Sequence, residues 1–254
     1  LLSGRGNKCV LKDDFDWLLD KMLDADGIIV TDPIFAKGAA GLFRTMTDRF
    51  GQRMDRGNNI IGQKVAEQTG GEKPDPRILK DKAISYIAIG GSDWGTRVQC
   101  DHAMHALTPM WKVIDNEWFA WAKELIMDDS KIGRIHQIGA DLVEAAKDVE
   151  QAKYLGEEGV CPHCHSKNFY LSPQSTKAVC CLCGIEGDIQ ILNGKTKFLF
   201  EEEQLGHAHD TIPGKFIHGD DIKNMESRFA KLQKTEEFKD RKNKYNNFIS
   251  ETMK

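Results

Sequence analysis

The sequence predicts an α/β protein built on a parallel β-sheet, followed by a small cysteine-rich module and a helical tail. Over the first 155 residues, short apolar runs alternate with segments of helical periodicity. This order is typical of a parallel sheet with helices on both faces. Two CxxC pairs then follow within residues 161–183. These observations divide the chain into predicted domains at 1–155, 156–200 and 201–254.

The first domain is predicted to contain three strands and four helices. The strands are expected at residues 27–31, 83–89 and 111–119, and the helices at 13–26, 38–50, 95–107 and 132–154. The run 27–31 lacks alternation, which predicts a strand buried on both faces. Because an open doubly wound sheet usually has five or more strands, we expect its first strands upstream of Leu1, where the sequence starts without Met.

Three further segments are less regular. Residues 51–80 form a long polar stretch, and two interpretations remain open: a functional lid or interaction segment, and a mobile surface excursion. Residues 188–200 predict short strands around an Asn193–Gly194 turn. Residues 201–221 are predicted to be irregular, and 222–253 to form a charged helix that packs on its own chain or on a sister subunit.

Composition restricts the class of partner. The net charge of −4 gives no electrostatic reason to expect nucleic acid or an anionic membrane. No apolar run reaches the roughly 18 residues of a membrane span. CxxC pairs in a chain without a signal-peptide pattern favour metal or redox sites over disulfides. We therefore expect a cytoplasmic protein with small-molecule or protein electron donors and acceptors as partners, no nucleic acid and no membrane.

The cysteine module predicts a metal site with four thiolate ligands. Cys161 and Cys164 form the first pair, and Cys180 and Cys183 follow after fifteen intervening residues. Two such pairs supply the four donors of a tetrahedral ion, so a structural Zn²⁺ is expected, with a rubredoxin-like iron as the alternative. Cys181 is expected to point away. His163 and His165 are expected to face solvent, since four sulfurs already complete the ligand set.

Two loops that follow predicted strands carry residues suited to a ligand. In open α/β sheets, ligands bind at the carboxyl ends of the strands. Glycines in such loops let backbone N–H groups approach a ligand. The candidate residues are Pro33, Ile34, Phe35, Ala36, Lys37 and Gly38 in the first loop, and Gly90, Gly91, Ser92, Trp94 and Gly95 in the second.

The same loops carry a family resemblance. The run ADGIIVTDPIFAKGAAGLFRTMTDRF, followed by GGSDWGT, resembles the NADPH-dependent FMN reductase family of flavodoxin-like proteins, and more narrowly its iron–sulfur flavoprotein branch. The resemblance covers residues 9–149. It implies a flavodoxin-like doubly wound sheet and FMN held between the loops 33–38 and 90–95. It also implies a phosphate-binding loop upstream and a homo-oligomer, either a dimer or a tetramer.

The resemblance also bears on Cys9. The stretch KCVLKDD resembles the last cysteine of a cluster that holds a [4Fe–4S] centre in iron–sulfur flavoproteins, whose other ligands would lie upstream. An ordinary loop thiol is the equal alternative. Zn²⁺, FMN and a [4Fe–4S] cluster are therefore the cofactors to test.

Other polar side chains are weaker candidates. Lys37 and Arg44 could offset the charge of a flavin or substrate, and His102 and His105 could face a flavin edge, although solvated or structural roles are more common for such residues. A second metal site is conceivable at His207, His209 and His218. No catalytic residue is assigned, because flavin chemistry places few demands on side chains.

Three functions follow from these patterns. The first is an FMN-dependent oxidoreductase that passes electrons from NAD(P)H or a reduced carrier to a small acceptor. The second is an iron–sulfur flavoprotein that carries electrons between protein partners. The third is a non-enzymatic interaction module built on the zinc ribbon.

Overall fold

The computed structural model describes residues 8–9 and 11–252. Most of residues 1–10 and the last residue of the predicted tail helix, Met253, lie outside the described residues. The chain forms two compact units, residues 1–215 and 216–254. The predicted boundaries near residues 155 and 200 both fall within the first unit and stay a prediction.

The first unit contains a parallel three-stranded sheet. Its strands are β1 (Gly27–Pro33), β2 (Ala83–Ile89) and β3 (Lys112–Phe119), in the order β1-β2-β3. Pro33 pairs with Ile89, and Ile89 pairs with Phe119, so the three strands end at the same level. The predicted parallel α/β architecture is confirmed.

Helices cover both faces of this sheet. The helices α1 (Phe15–Asp24), α2 (Gly41–Met54) and α4 (Val98–Leu107) pack on one face, where Ile84 and Tyr86 of β2 join their core. The helix α5 (Asp129–Lys147) covers the other face through Ile138 and Leu142. β2 is buried along nearly its whole length. β1 is only half-buried because it borders the sheet in the described chain, so its predicted burial on both faces is wrong.

The polar stretch 51–80 is mostly helical, so its interpretation as a long irregular excursion is wrong, whereas its role as a lid or interaction segment stays a prediction. The helix α3 (Arg56–Thr69) occupies its centre. The Asp55 carboxylate accepts from the Asn58 N–H at 2.9 Å and caps the helix, and Gly70 ends it at a φ of 70°. Periodicity did not predict this helix, because its buried face lacks large apolar side chains and consists of Gly57, Asn59 and Ala66. Short 3₁₀ turns occupy Pro76–Leu79 and Ala122–Met127.

The cysteine module forms a four-stranded antiparallel sheet in the order β4-β5-β6-β7. The strands are β4 (Phe169–Leu171), β5 (Lys177–Cys180), β6 (Glu186–Leu192) and β7 (Lys195–Leu199). Asn193 and Gly194 connect the last two with φ angles of 52° and 75°. Both angles are positive, as a type I′ hairpin turn requires, so the predicted turn is confirmed.

The tail forms two helices instead of one. The helix α6 (Ile212–Leu232) starts ten residues earlier than predicted, because Thr211 Oγ1 accepts from the Gly214 N–H at 3.2 Å and Pro213 suits a first turn. The prediction that residues 201–221 are irregular is therefore wrong from Ile212 onward. The helix α7 (Glu236–Thr252) begins after a break at which Thr235 Oγ1 accepts from the Phe238 N–H. None of the described helices is both long and apolar enough to cross a membrane.

Candidate functional site

The carboxyl ends of the three parallel strands form one edge, and their loops meet there. The Ile34 N–H donates to the Ile89 carbonyl at 2.9 Å, and the Gly90 N–H donates to the Phe119 carbonyl at 2.8 Å. The Ala122 N–H in turn donates to the Gly90 carbonyl at 2.9 Å. These bonds join the loops after β1, β2 and β3 into one surface, as expected for a ligand site in an open sheet.

The loop after β1 contains a strained tight turn. Phe35 and Gly38 exchange two backbone hydrogen bonds of 3.0 Å, and the intervening Ala36 and Lys37 have φ angles of 49° and 66°. Positive φ angles at non-glycine residues cost free energy and persist only where the surroundings enforce them. An added Cβ at Gly38 would lie 2.2 Å from a nitrogen of Arg44, so the Arg44–Asp101 pair would have to shift to admit a side chain. The loop glycines were expected to let backbone N–H groups approach a ligand, whereas the small size of Gly38 leaves space for the side chains of Arg44 and Asp101.

Two carboxylates from distant elements hold the end of this loop. Asp32, at the end of β1, accepts from the Ala40 N–H at 3.0 Å, and Asp101 of α4 accepts from the Ala39 N–H at 3.0 Å. Both N–H groups lie at the start of α2, where negative charge is favourable. Arg44 binds Asp101 at 2.7 Å and is therefore part of this clamp, instead of a free counter-charge for a ligand.

The loop after β2 lies beside the first loop. The Arg97 N–H donates to the Lys37 carbonyl at 2.9 Å, and the Lys37 ammonium lies 5.2 Å from the centre of the Trp94 ring. Gly95 packs against the ring of Trp118, 2.6 Å from where a Cβ would stand. At Gly91 an added Cβ would meet nothing within 4 Å, so the backbone there is open to a ligand.

Each of the three strand ends presents one exposed aromatic side chain. Phe35 follows β1 and is 64% exposed, Trp94 follows β2 and is 67% exposed, and Trp121 follows β3 and is 50% exposed. Trp121 has a φ of 64°, which is rare for a bulky residue. Trp121 was missed by the sequence analysis, although it stands two residues after its strand, as Phe35 does.

The two histidines of α4 lie in the core. His102 Nε2 lies 3.1 Å from Asp32 Oδ2, and His105 Nδ1 lies within hydrogen-bond distance of the Tyr86 hydroxyl, at 2.9 Å. Burial lowers the pKa of His105 to about 3, so its ring is neutral at physiological pH. Neither side chain is accessible to a ligand. His102 instead contacts the loop indirectly, through the carboxylate of Asp32.

The four predicted metal ligands come together. The Sγ atoms of Cys161, Cys164, Cys180 and Cys183 all lie within 4.8 Å of one another. The pair Cys161–Cys183 is separated by 3.9 Å and the pair Cys164–Cys180 by 3.4 Å. A tetrahedral ion with metal–sulfur bonds of about 2.3 Å places its sulfurs roughly 3.8 Å apart. The donor set therefore fits a closed four-thiolate metal site.

The other residues of the module lie outside this ligand set. Cys181 is exposed. His163 Nε2 lies 2.8 Å from Asp210 Oδ1, and His165 stacks on Tyr154 at 4.1 Å. Both histidines are half-buried through these contacts, so their predicted exposure to solvent is wrong.

The metal module packs directly on α4. Ala103 belongs to the same buried cluster as Cys161, Cys180 and Cys183, and Cys100, Leu107 and Cys164 pack against this cluster. The Asn168 side-chain N–H also donates to the Thr96 carbonyl at 3.2 Å, next to the loop 90–95. One helix thus contacts the metal module on one side and, through Asp101 and His102, the first loop on the other.

The remaining metal predictions receive less support. The four-cysteine set is the one candidate metal-binding group among the described residues. A second site at His207, His209 and His218 is therefore not supported, and the ring of His209 lies against Gly184. Cys9 lies 3.5 Å from an Arg49 nitrogen, and its role as a cluster ligand stays a prediction.

Comparison with known proteins identifies the family. The model of the NADPH-dependent FMN reductase family matches residues 1–125. A solved structure of a flavone reductase is 61% identical, with a TM-score of 0.89, and the match covers 95% of this chain and 84% of that one. The chain belongs to the NADPH-dependent FMN reductase family. A flavone synthase from Aspergillus candidus is 22% identical over 204 residues, or 76% of this chain, and the chain spans 62% of that relative's length.

The loops of this FMN reductase family member fit a flavin edge. The N–H groups of Ala36, Lys37, Gly91 and Ser92 make no backbone hydrogen bond within the described part of the chain, and all four lie on the joined surface. A planar ring system with carbonyl and ring-nitrogen acceptors could receive such donors. The predicted residues of both loops are thus brought together.

Proposed function

We propose that the protein is an FMN-dependent oxidoreductase that uses NAD(P)H to reduce a planar aromatic ketone of the flavone class. The single observation that carries this proposal is the group of three exposed aromatic side chains, Phe35, Trp94 and Trp121, one at each strand end. Large aromatic side chains at a ligand site suit flat, conjugated molecules, because rings stack with favourable geometry.

The names of the relatives suggest the acceptor. One is a flavone reductase and the other a flavone synthase, so both names include the same ring system. A flavone has a carbon–carbon double bond conjugated to a ketone. Its reduction consumes one NAD(P)H and one proton and yields the saturated flavanone and NAD(P)⁺, so atoms and electrons balance. The opposite direction would form the double bond from a flavanone.

The chain's own residues would have three tasks in this reaction. Bound FMN would supply two-electron transfer between the nicotinamide and the acceptor. The N–H groups of Lys37 and Gly91 would hold the edge of its ring, and the Lys37 ammonium would offset negative charge on the reduced ring. Phe35, Trp94 and Trp121 would shield the ring from water and stack on the acceptor.

We also infer that the four-cysteine centre binds structural zinc. Four thiolates leave no open position for a substrate, and the centre lies on the side of α4 that faces away from the first loop. The alternative of an electron carrier would need a cluster at Cys9, which lies beside Arg49. Homo-oligomer formation also remains a proposal.

The test is a turnover assay with the FMN- and zinc-loaded protein under anaerobic conditions. We expect NADPH or NADH oxidation that depends on added flavone, with one flavanone formed for each nicotinamide consumed. Flavin reduction without flavone consumption would show that flavone is not the acceptor, whereas the proposal of an FMN-dependent oxidoreductase would stand. Failure to bind FMN would contradict the whole proposal.

A matched pair of variants tests the aromatic group. Trp121→Ala removes one stacking surface and should lower kcat/KM for flavone by roughly 2- to 12-fold, the equivalent of about 0.5–1.5 kcal/mol for one aromatic contact. Trp17→Ala removes a similarly exposed tryptophan on α1 and should leave kcat/KM unchanged. Equal effects of the two substitutions would contradict a role for Trp121 in acceptor binding.

A further inference from the structure

Lys37 differs from the other cations near the loops after β1 and β2. Arg44 and Arg97 both pair with the carboxylate of Asp101, at 2.7 and 3.7 Å. Within the described part of the chain, no carboxylate lies within ion-pair distance of the Lys37 ammonium, and its side chain is exposed. The positive charge of Lys37 is therefore available to a bound ligand.

The backbone fixes the position of Lys37. Its φ of 66° is one that a residue with a side chain rarely adopts, and its carbonyl accepts from the Arg97 N–H at 2.9 Å. The two hydrogen bonds between Phe35 and Gly38 close the turn around it. Such a conformation costs free energy and is typical of functional sites, where the surroundings enforce it. The long side chain of Lys37 thus starts from a rigid point on the strand-end surface.

The Lys37 ammonium connects the two loops. It belongs to the loop after β1, yet it lies 5.2 Å from the centre of the Trp94 ring, which belongs to the loop after β2. A cation within about 6 Å of an indole ring is attracted to it. Trp94 is 67% exposed, so its ring also offers surface to a flat acceptor. An acceptor stacked on Trp94 would therefore present an edge to the Lys37 ammonium.

The reduction of flavone creates negative charge at one atom of the acceptor. Addition of a hydrogen with its electron pair to the β-carbon opens the carbon–carbon double bond. The π electrons move to the ketone oxygen, which becomes an enolate, and a proton from water then forms the second new C–H bond at the α-carbon. A cationic donor at this oxygen stabilises the charge as it develops and so lowers the barrier.

We propose that Lys37 is a catalytic residue that binds the ketone oxygen of the acceptor. Its ammonium donates a hydrogen bond to this oxygen and stabilises the enolate. The same ammonium offsets the charge of the reduced ring before the transfer and that of the acceptor oxygen after it, since the charge passes from one to the other. This inference rests on the proposed function, because it requires a flavone as the acceptor.

The first test measures recognition of charge without turnover. Its probe is 3-hydroxyflavone, which carries an ionisable hydroxyl group beside the ketone and absorbs at longer wavelength when that group is deprotonated. The probe is added to the FMN- and zinc-loaded protein without nicotinamide, and its absorption is followed against pH in difference spectra. A cation beside the ketone favours the anion. We expect Lys37→Met to raise the pH at which the bound probe ionises by about one unit or more, whereas Lys37→Arg should keep it near the wild-type value.

The second test separates the acceptor from the flavin. Protein whose FMN has been reduced with NADPH is mixed anaerobically with flavone, and reoxidation of the flavin is followed by absorbance. We expect Lys37→Met to bind FMN and to slow this step by about tenfold or more, while the preceding reduction by NADPH changes less. Lys123→Met is the matched control and should leave both measurements unchanged. Lys123 is an exposed lysine on the turn after β3, for which the described structure shows no ion pair.

Two results, obtained with a wild-type protein that reduces flavone, would overturn the inference and leave the proposed function standing. In the first, Lys37→Met ionises the bound probe at the wild-type pH and is reoxidised by flavone at the wild-type rate. In the second, Lys37→Met lowers only the flavin reduction potential and the rate of reduction by NADPH, which would place the ammonium on the flavin alone. A wild-type protein that neither binds the probe nor is reoxidised by flavone would overturn the proposed function and this inference together.

Discussion

The carboxylate of Asp32 should be essential to the first loop. A single oxygen, Oδ2, accepts from both the Ala40 N–H at 3.0 Å and His102 Nε2 at 3.1 Å, and Asp32 is almost completely buried. Asp32→Ala leaves both donors without a partner. A buried donor left unsatisfied costs about 1–3 kcal/mol, so the two together predict a loss of about 2–6 kcal/mol of unfolding free energy.

Asp32→Asn is the conservative comparison. Its amide oxygen can accept from the same two donors, but the bonds lose their charge assistance. Hydrogen bonds to charged groups contribute about 1 kcal/mol more than neutral ones, so this substitution should cost about 2 kcal/mol. Both substitutions should also weaken FMN binding. Without the Asp32 carboxylate, part of the binding free energy must be spent on ordering the loop 33–38.

The assay combines urea denaturation of the zinc-loaded protein with FMN titration by fluorescence. Asp75→Ala is the control, since Asp75 caps the 3₁₀ turn before β2, near the opposite edge of the sheet. We expect Asp32→Ala to weaken FMN binding by about tenfold or more, and Asp75→Ala to lower stability by about 1 kcal/mol with unchanged FMN affinity. If Asp32→Ala retains wild-type stability and FMN affinity, the reasoning about the clamp is wrong.

Three further predictions follow from the same structure. Cys180→Ser should abolish the bound metal, measured by elemental analysis, whereas Cys181→Ser should keep one ion per chain, because only Cys180 belongs to the ligand set. Gly38→Ala should displace the Arg44–Asp101 pair and weaken FMN binding measured by titration, whereas Gly41→Ala, with open space around it, should not. His105 has a pKa of about 3 when folded and about 6.5 when unfolded, so the unfolded state binds the extra proton between these values. Stability should therefore be complete above pH 6.5 and fall by about 1.4 kcal/mol per pH unit below it, a slope that His105→Gln should remove in denaturation experiments.

Periodicity predicted the sheet better than it predicted the segments around it. The run 83–89 is apolar throughout and became β2, buried along nearly its whole length. Helix α3 was missed because its buried side is made of Gly57, Asn59 and Ala66, which give no apolar stripe. Its signals were local instead: an Asp55 cap at one end and Gly70 at the other.

The loops of the candidate site could be predicted from the order of strands along the chain. The contacts between residues that are far apart in the sequence could not. The loops 33–38 and 90–95 follow strands, and parallel strands end at one edge, so their proximity could be inferred. The contact of Asp101 with Ala39 spans 62 residues, and nothing in the local sequence marks it. Trp121 could have been found by applying the strand-end rule to the third strand as well as to the first two.

Helix α4 is the element through which the two sites can influence each other. Asp101 and His102 hold the first loop in place, and Cys100 and Ala103, on the opposite side of the same helical turn, pack against the metal module. Because α4 is a rigid helix in contact with both the first loop and the metal module, a displacement of α4 at one of them also disturbs the other. The metal can therefore contribute to FMN affinity without touching the flavin, because it fixes the module on which α4 packs. Within the first unit, the metal module packs on α4, the helix whose Asp101 and His102 support the loop after β1.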